Sequence, residues 1–221
     1  MKLTSTQLDD YELALDRIPA FPVVYRDPSD FLYETTGRIL RGRSLVGRFK
    51  FYYVDFAAAL NAQCSAHDVL DSYAQTEEFA DSVIGDGDQY CSRRLNQLLQ
   101  GDVHEMNVLI IDRLEIQPAF RGGGVGLFVI RKLIERFSSG AGVIALKAFP
   151  LQFEVDRAKK ADPWSQRMAL ASFPLQKRSA SAALRRYYGR LGFIAMPRTD
   201  FMFMSSTARL PSVEELLNQS A

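Results

Sequence analysis

Arg121-Gly122-Gly123-Gly124-Val125-Gly126 is the stretch of this chain whose residue types most directly imply chemistry. A glycine-rich turn that opens a helix points backbone N–H groups outward, and such groups bind anions. Side chains would block that approach, and glycine has none. The apolar run Val108-Leu109-Ile110-Ile111 precedes the turn, and a helix-like run from Leu127 to Phe137 follows it. Strand, turn and helix together read as a cradle for a ligand carrying a diphosphate.

Three glycine-rich designs compete with an ordinary glycine turn. A P-loop needs Gly-Lys followed by Ser or Thr, and neither is present here. A dinucleotide fingerprint needs glycine at positions one, three and six; counted from Gly122, the sixth position is Leu127. The third design, Arg/Gln-x-x-Gly-x-Gly/Ala, is satisfied by Arg121, Gly124 and Gly126.

The elements that must position this turn follow from periodicity. Asn107 to Ile116 reads as a strand ended by Gln117-Pro118-Ala119-Phe120. Leu127, Ile130, Ile134 and Phe137 form one buried helical stripe, with Arg131, Lys132, Glu135 and Arg136 on the other face. Ser138-Ser139-Gly140 closes that helix. Val143 to Phe149 is a second strand, stopped by Pro150. Leu151 to Gln176 is a long connection, and such loops often line or cover a site. Its Trp164 and Phe173 could wall an acceptor pocket or pack the loop down. Ser179 to Leu191 is a helix with Gly192 as its C′ residue. Phe193–Met196 and Phe201–Ser205 form a closing hairpin, and Pro211 to Asn218 a terminal helix.

Upstream, Pro19 to Asp30 holds three prolines and reads as an irregular connection. Leu45 to Phe56 is one long strand or a hairpin. Ser65 to Ile84 is helical with Ser65 as N-cap. Gly85-Asp86-Gly87-Asp88 is a turn, and Tyr90 to Leu99 a short helix.

Composition bounds the function classes. With 221 residues, 47% hydrophobic and 24% charged, the chain suits one soluble globular domain over 1–221. A net charge of +1 creates no strong field for nucleic acid or anionic membrane. No stretch is apolar enough to span a bilayer. Met1 to Tyr11 is polar and acidic, unlike a signal peptide. Cys64 and Cys91 lack metal-ligand spacing and read as free thiols, which points to the cytoplasm. His67 and His104 fit surface or capping roles, and no metal is expected.

About sixty residues after the glycine turn comes Leu184-Arg185-Arg186-Tyr187-Tyr188-Gly189-Arg190-Leu191-Gly192-Phe193. This pair of segments resembles the GNAT superfamily of acyl-CoA-dependent N-acyltransferases. Strand, turn and helix look like its motif A, and Tyr188, Gly192 and Phe193 match Tyr-x-x-x-Gly-Phe of its motif B. The resemblance covers roughly Asn107 to Ser205. It implies an α/β (α+β) GNAT fold: a mixed, mostly antiparallel central sheet, splayed between its fourth and fifth strands and flanked by helices on both faces.

The resemblance also implies a cosubstrate, acetyl-CoA, and no metal. The pantetheine arm would lie in the splay and pair with the main chain of Leu114 and Ile116. The diphosphate would rest on the amides of Gly122, Gly124, Val125 and Gly126, within the turn that also contains Gly123; the helix dipole would assist. Arg121 either adds charge there or is an exposed rim residue. Tyr188 matches the family tyrosine that protonates the departing thiolate, and a phenol with a reference pKa of about 10 can donate at neutral pH. The Leu114 N–H is the candidate oxyanion donor.

Some family members place a glutamate inside the fourth strand, where this chain has Ile110. Asp112 lies two residues on and shares that face by alternation. Glu115 falls on the opposite face unless a bulge turns it. Either carboxylate could serve as base, be salt-bridged, or be replaced by a water chain. The basic run Lys177, Arg178, Arg185, Arg186 and Arg190 could meet the coenzyme's 3′-phosphate or an acidic acceptor, or form a solvated helix face.

The function implied is acetyl transfer to a primary amine: that of a small metabolite, a peptide N-terminus or a lysine. A homodimer is compatible with it, and nucleic-acid or membrane partners are not expected. A non-catalytic acyl-CoA-binding module, a transferase using a longer acyl donor, and a nucleotide-binding enzyme are the alternatives.

Overall fold

The computed structural model describes residues 4–17, 20, 22–85, 90–154 and 162–219. Residues Asp86, Gly87 and Asp88 of the expected turn, and 155–161 of the long connection, lie outside the described residues.

The two strands flanking the glycine turn organise everything else. Asn107–Ile116 is a strand (β4), and Ala141–Lys147 is another (β5). Both are rich in β-branched and aliphatic residues. They pair in parallel, which requires a crossover element between them. That element is the helix Val125–Phe137 (α7), reached through the glycine turn.

The remaining strands extend this pair on both sides. Tyr11–Arg17 (β1), Leu32–Arg41 (β2) and Ser44–Val54 (β3) form an antiparallel meander that ends against β4. Leu45 to Phe56 is therefore one strand rather than a hairpin. Ile194–Ala195 (β6) and Phe201–Ser205 (β7) form the closing hairpin, and β7 adds antiparallel to β5. The result is a seven-stranded mixed sheet in the order β1-β2-β3-β4-β5-β7-β6.

Helices cover both faces, because strand alternation makes both faces of the central strands apolar. On one face, Leu127, Ile130, Leu133 and Ile134 of α7 pack on Phe49, Phe51, Leu109 and Ile111. The helices Lys177–Gly189 (α9) and Val213–Asn218 (α10) join this core through Tyr187, Tyr188 and Leu216. On the other face, Val108, Ile110, Tyr52 and Val54 meet a group of short helices. These are Phe56–Asn61 (α2), Ala66–Asp71 (α3), Ala74–Glu77 (α4), Ala80–Val83 (α5) and Arg93–Leu98 (α6).

Ser65 does cap α3, accepting from the Asp68 amide. The single helix expected over Ser65–Ile84 is instead three short ones. The Thr76 hydroxyl donates to the carbonyl of Leu70 at 2.6 Å and lies 2.9 Å from that of Tyr73. A buried hydroxyl that captures such carbonyls competes with the helical ladder. Two further helices are Ser5–Leu8 (α1), near the start of the described residues, and Pro163–Arg167 (α8), within the long connection. No helix among the described residues is long and apolar enough to cross a membrane.

Candidate functional site

The sheet opens beside the glycine turn. Pairing between β4 and β5 ends at Ile111↔Leu146. Beyond that point β4 stays with β3 as far as Gly47↔Ile116, while β5 stays with β7 through Lys147↔Phe201. The carboxyl ends of two parallel strands thus diverge where a crossover helix begins, which is where open α/β sheets bind ligands.

The start of α7 supplies donors to this opening. Gly122 and Gly124 have φ of +85° and +82°, a left-handed geometry that glycine adopts without the penalty of a Cβ. Gly123, Gly124, Val125 and Gly126 are buried. Among the described residues, no hydrogen bond takes up the N–H groups of Gly122 through Gly126; the first helical amide bonded is Leu127, to the Gly124 carbonyl at 2.8 Å. Gly124, the N-cap, offers no capping side chain. Buried backbone donors are nearly always paired, so a run of unpaired ones at a helix start marks a place for an anionic or carbonyl-bearing ligand.

Tyr187 stands beside these amides, and Tyr188 packs edge-on against its ring at a centroid distance of 5.5 Å. A Cβ at Gly126 would lie 2.7 Å from the Tyr187 hydroxyl and 3.3 Å from Leu114 Cδ2, so this glycine permits α7, α9 and β4 to meet. Burial pushes the Tyr187 phenol up to about 12, with the Leu127 amide pulling in the opposite direction. Burial and then the neighbouring Tyr187 raise Tyr188 well above the usual phenol range. Both therefore keep their protons at neutral pH and can donate.

Leu114 and Ile116 lie on the stretch of β4 that runs past the end of its pairing with β5. The Gln117 amide bonds the Val46 carbonyl of β3 at 2.8 Å. In an antiparallel ladder the bonded side alternates, so the polar groups of Leu114 and Ile116 point away from β3, toward the gap. The Ile116 carbonyl is already engaged, accepting from Arg121 Nε at 2.7 Å. Arg121 is no exposed rim residue: its Nη2 also donates to the Met168 carbonyl at 2.6 Å, and its guanidinium stacks over Phe173 at 4.6 Å. It ties the glycine turn to the long connection.

A β-bulge settles where the carboxylates go. Lys50 registers with Arg113 but Phe51 registers with Ile111, leaving Asp112 as the extra residue. The bulge reverses the alternation. Glu115 consequently lies on the face of Ile110 and Asp112, contrary to the unbulged reading. On that face Arg113 Nη1 donates to Glu115 Oε1 at 2.8 Å and binds Glu154, while Trp164 Nε1 donates to Glu115 Oε2 at 2.6 Å. Burial works against the Arg113 charge, but Glu154 and Glu115 outweigh it and raise its pKa. Trp164 is buried, under the Arg48 guanidinium at 4.4 Å. It packs the connection onto the sheet. Glu115 is thus a neutralised, bonded carboxylate.

Asp112 joins a second cluster. Lys50 Nζ lies 2.9 Å from Asp112 Oδ2 and donates to Tyr52 Oη at 2.8 Å. Tyr52 in turn donates to Glu34 Oε2 at 3.0 Å. Burial first, then the charges of Asp112 and Glu34, raises the Tyr52 phenol. Sequence reasoning missed Glu34, Lys50 and Tyr52. Alternation within Leu45–Phe56 puts Lys50 and Tyr52 on one face, but only the β3–β4 register brings them to Asp112.

The basic residues near α9 are partly committed. Lys177, Arg178, Ser181 and Arg185 line a cleft of about 530 Å³. Arg185 donates to the Thr199 carbonyl and to Asp200, Arg190 to the Leu216 carbonyl, and Lys177 stacks over Phe149. Neither Cys64 nor Cys91 is in a disulfide, and His104 contacts Asp102 at 3.1 Å. No group of three or more potential metal ligands occurs among the described residues. No family model, no curated protein and no solved structure matches the chain.

Proposed function

We propose that this chain is an acyl-CoA-dependent N-acyltransferase of GNAT type, acting on a primary amine. The carrying observation is the run of buried, unpaired amides from Gly123 to Gly126 at the mouth of a parallel-strand opening. That arrangement fits a ligand with two parts: a diphosphate for the amides and an extended amide-bearing arm for the exposed strand edge. The opening of the mixed sheet between its fourth and fifth strands supports this reading. A Mg²⁺-dependent nucleotide site would in addition need a carboxylate or hydroxyl cluster, and the turn offers none.

In this reading Gly122, Gly124, Val125 and Gly126 hold the diphosphate, and Leu114 polarises the thioester carbonyl through its N–H. Tyr188, kept protonated by burial, supplies the proton to the leaving sulfur. The chain's larger contribution is to hold amine and thioester in line. The test is a thermal shift with acetyl-CoA beside ATP and NAD, followed by thiol release over a panel of amines. Acetyl-CoA should raise the melting point most. A larger shift with ATP or NAD would overturn the proposal.

One observation favours a second reading, a non-catalytic acyl-CoA-binding module. Both candidate bases already face cations: Asp112 faces Lys50, and Glu115 faces Arg113. Binding without thiol release on any amine would select it.

A further inference from the structure

The amine nearest the bulge belongs to the protein itself. Lys50 extends from β3 across the face of β4 at the point where Asp112 bulges out. Its Nζ is held at one place by Asp112 Oδ2 at 2.9 Å and Tyr52 Oη at 2.8 Å, with Glu34 Oε2 at 3.9 Å and the Tyr52 ring centroid at 4.8 Å. Two carboxylates for one cation means that a proton acceptor remains close whichever of them is the ion-pair partner. Lys50 registers with Arg113, directly beside Leu114, whose N–H faces the opening. A primary amine and a carboxylate to deprotonate it thus meet at one strand irregularity, two residues along β4 from the amide that faces the opening.

We propose that Lys50 is a self-acylation site, an inference that rests on the acyl-CoA reading above. Asp112 takes one proton from the Lys50 ammonium. The amine lone pair forms the new N–C bond to the thioester carbonyl carbon, and the C–S bond breaks with its electrons on sulfur. Sulfur gains a proton from the Tyr188 phenol, which is replenished through solvent by the second proton lost from nitrogen. The products are an Nε-acyl Lys50, free thiol and a proton on Asp112. Acylation removes the only cation in contact with Asp112 among the described residues and leaves Asp112 and Glu34 facing a neutral amide.

Exposure separates this reaction from solution chemistry. The Lys50 side chain is 22% exposed and that of Lys132 is 67% exposed, so unassisted acylation favours Lys132. The native chain is incubated with acetyl-CoA and its lysines are mapped by peptide mass spectrometry. Positioning should make labelling of Lys50 about tenfold or more faster than that of Lys132. Acid- or urea-unfolded chain should lose that preference, and Tyr188→Phe should slow Lys50 labelling alone. Lys50→Arg should keep its acetyl-CoA thermal shift and lose the adduct. A retained thermal shift with Lys50 labelled no faster than Lys132 would overturn the inference while leaving the coenzyme site standing. No binding at all would remove both.

Discussion

Replacing Glu115 by Gln tests what holds the long connection on the sheet. The substitution keeps an acceptor of the same shape and removes the charge. Glu115 is buried and bonded to Trp164 Nε1 at 2.6 Å and to Arg113 at 2.8 Å. Arg113 keeps Glu154 as a partner, so the loss falls chiefly on the tryptophan bond. A hydrogen bond to a charged group contributes about 1.5–3 kcal/mol and a neutral one about 0.5–1.5 kcal/mol. The difference is roughly 1–1.5 kcal/mol, or about five- to twelvefold in an opening equilibrium. Trp164 is the only tryptophan in the chain, so its indole N–H gives an unambiguous NMR signal. Solvent exchange of that proton, and of the Met168 amide bonded to the Trp164 carbonyl at 3.1 Å, should accelerate by that factor. Amides of β5 should not change. Acceleration below about twofold, or equal acceleration in β5, would refute a local tether and make Glu115 a support of the whole fold.

Four further outcomes follow. Tyr188→Phe should lower thiol release by about 10²-fold with acetyl-CoA affinity unchanged, read from steady-state rates and calorimetry. Gly124→Ala forces a side chain onto φ +82° and should cost about 1–2 kcal/mol, seen as a lower melting point and weaker acetyl-CoA binding. Gly142→Ala would place a Cβ 1.9 Å from the Glu105 carbonyl oxygen, a backbone clash worth about 1–3 kcal/mol or more, with its effect on stability rather than on coenzyme selectivity. Tyr187 ionises near pH 10 in the unfolded chain and at about 12 when folded. The folded state therefore holds its proton longer, and stability should fall from pH about 10 to about 12. Tyr187→Phe should make that limb shallower, leaving the share of Tyr188 and Tyr52, in a pH series of urea melts.

Local pattern carried much of the fold. β4 was legible over its full length because its aliphatic run is bounded by Gln117-Pro118, and α7 because Leu127, Ile130 and Ile134 repeat at helical spacing. β1 and β2 were not singled out: Tyr11–Arg17 and Leu32–Arg41 mix charged and apolar residues without a long apolar run, and their pairing partner, not their composition, makes them strands. The Ser65–Ile84 region carries Val69, Leu70, Phe79 and Val83 at spacings that suit one helix; a threonine hydroxyl bonding back to Leu70 is a tertiary choice. At the site, glycine identities announced the turn; the resemblance singled out Tyr188, whereas the tyrosine that meets Gly126 is Tyr187. The bulge at Asp112 has no local signature, and it alone determines which face Glu115 takes.

The divergence of β4 from β5 leaves the sheet as two panels, β1 to β4 and β5 to β6, stitched by one short parallel ladder and by α7. That ladder stops at Ile111↔Leu146, while β4 runs on with β3 as far as Ile116. A molecule wedged there and bonded to an edge of each panel would act as a rivet, adding its binding energy where the two panels part. Its arrival should be felt as slower amide exchange along Val143–Ala145, on the paired side of the opening.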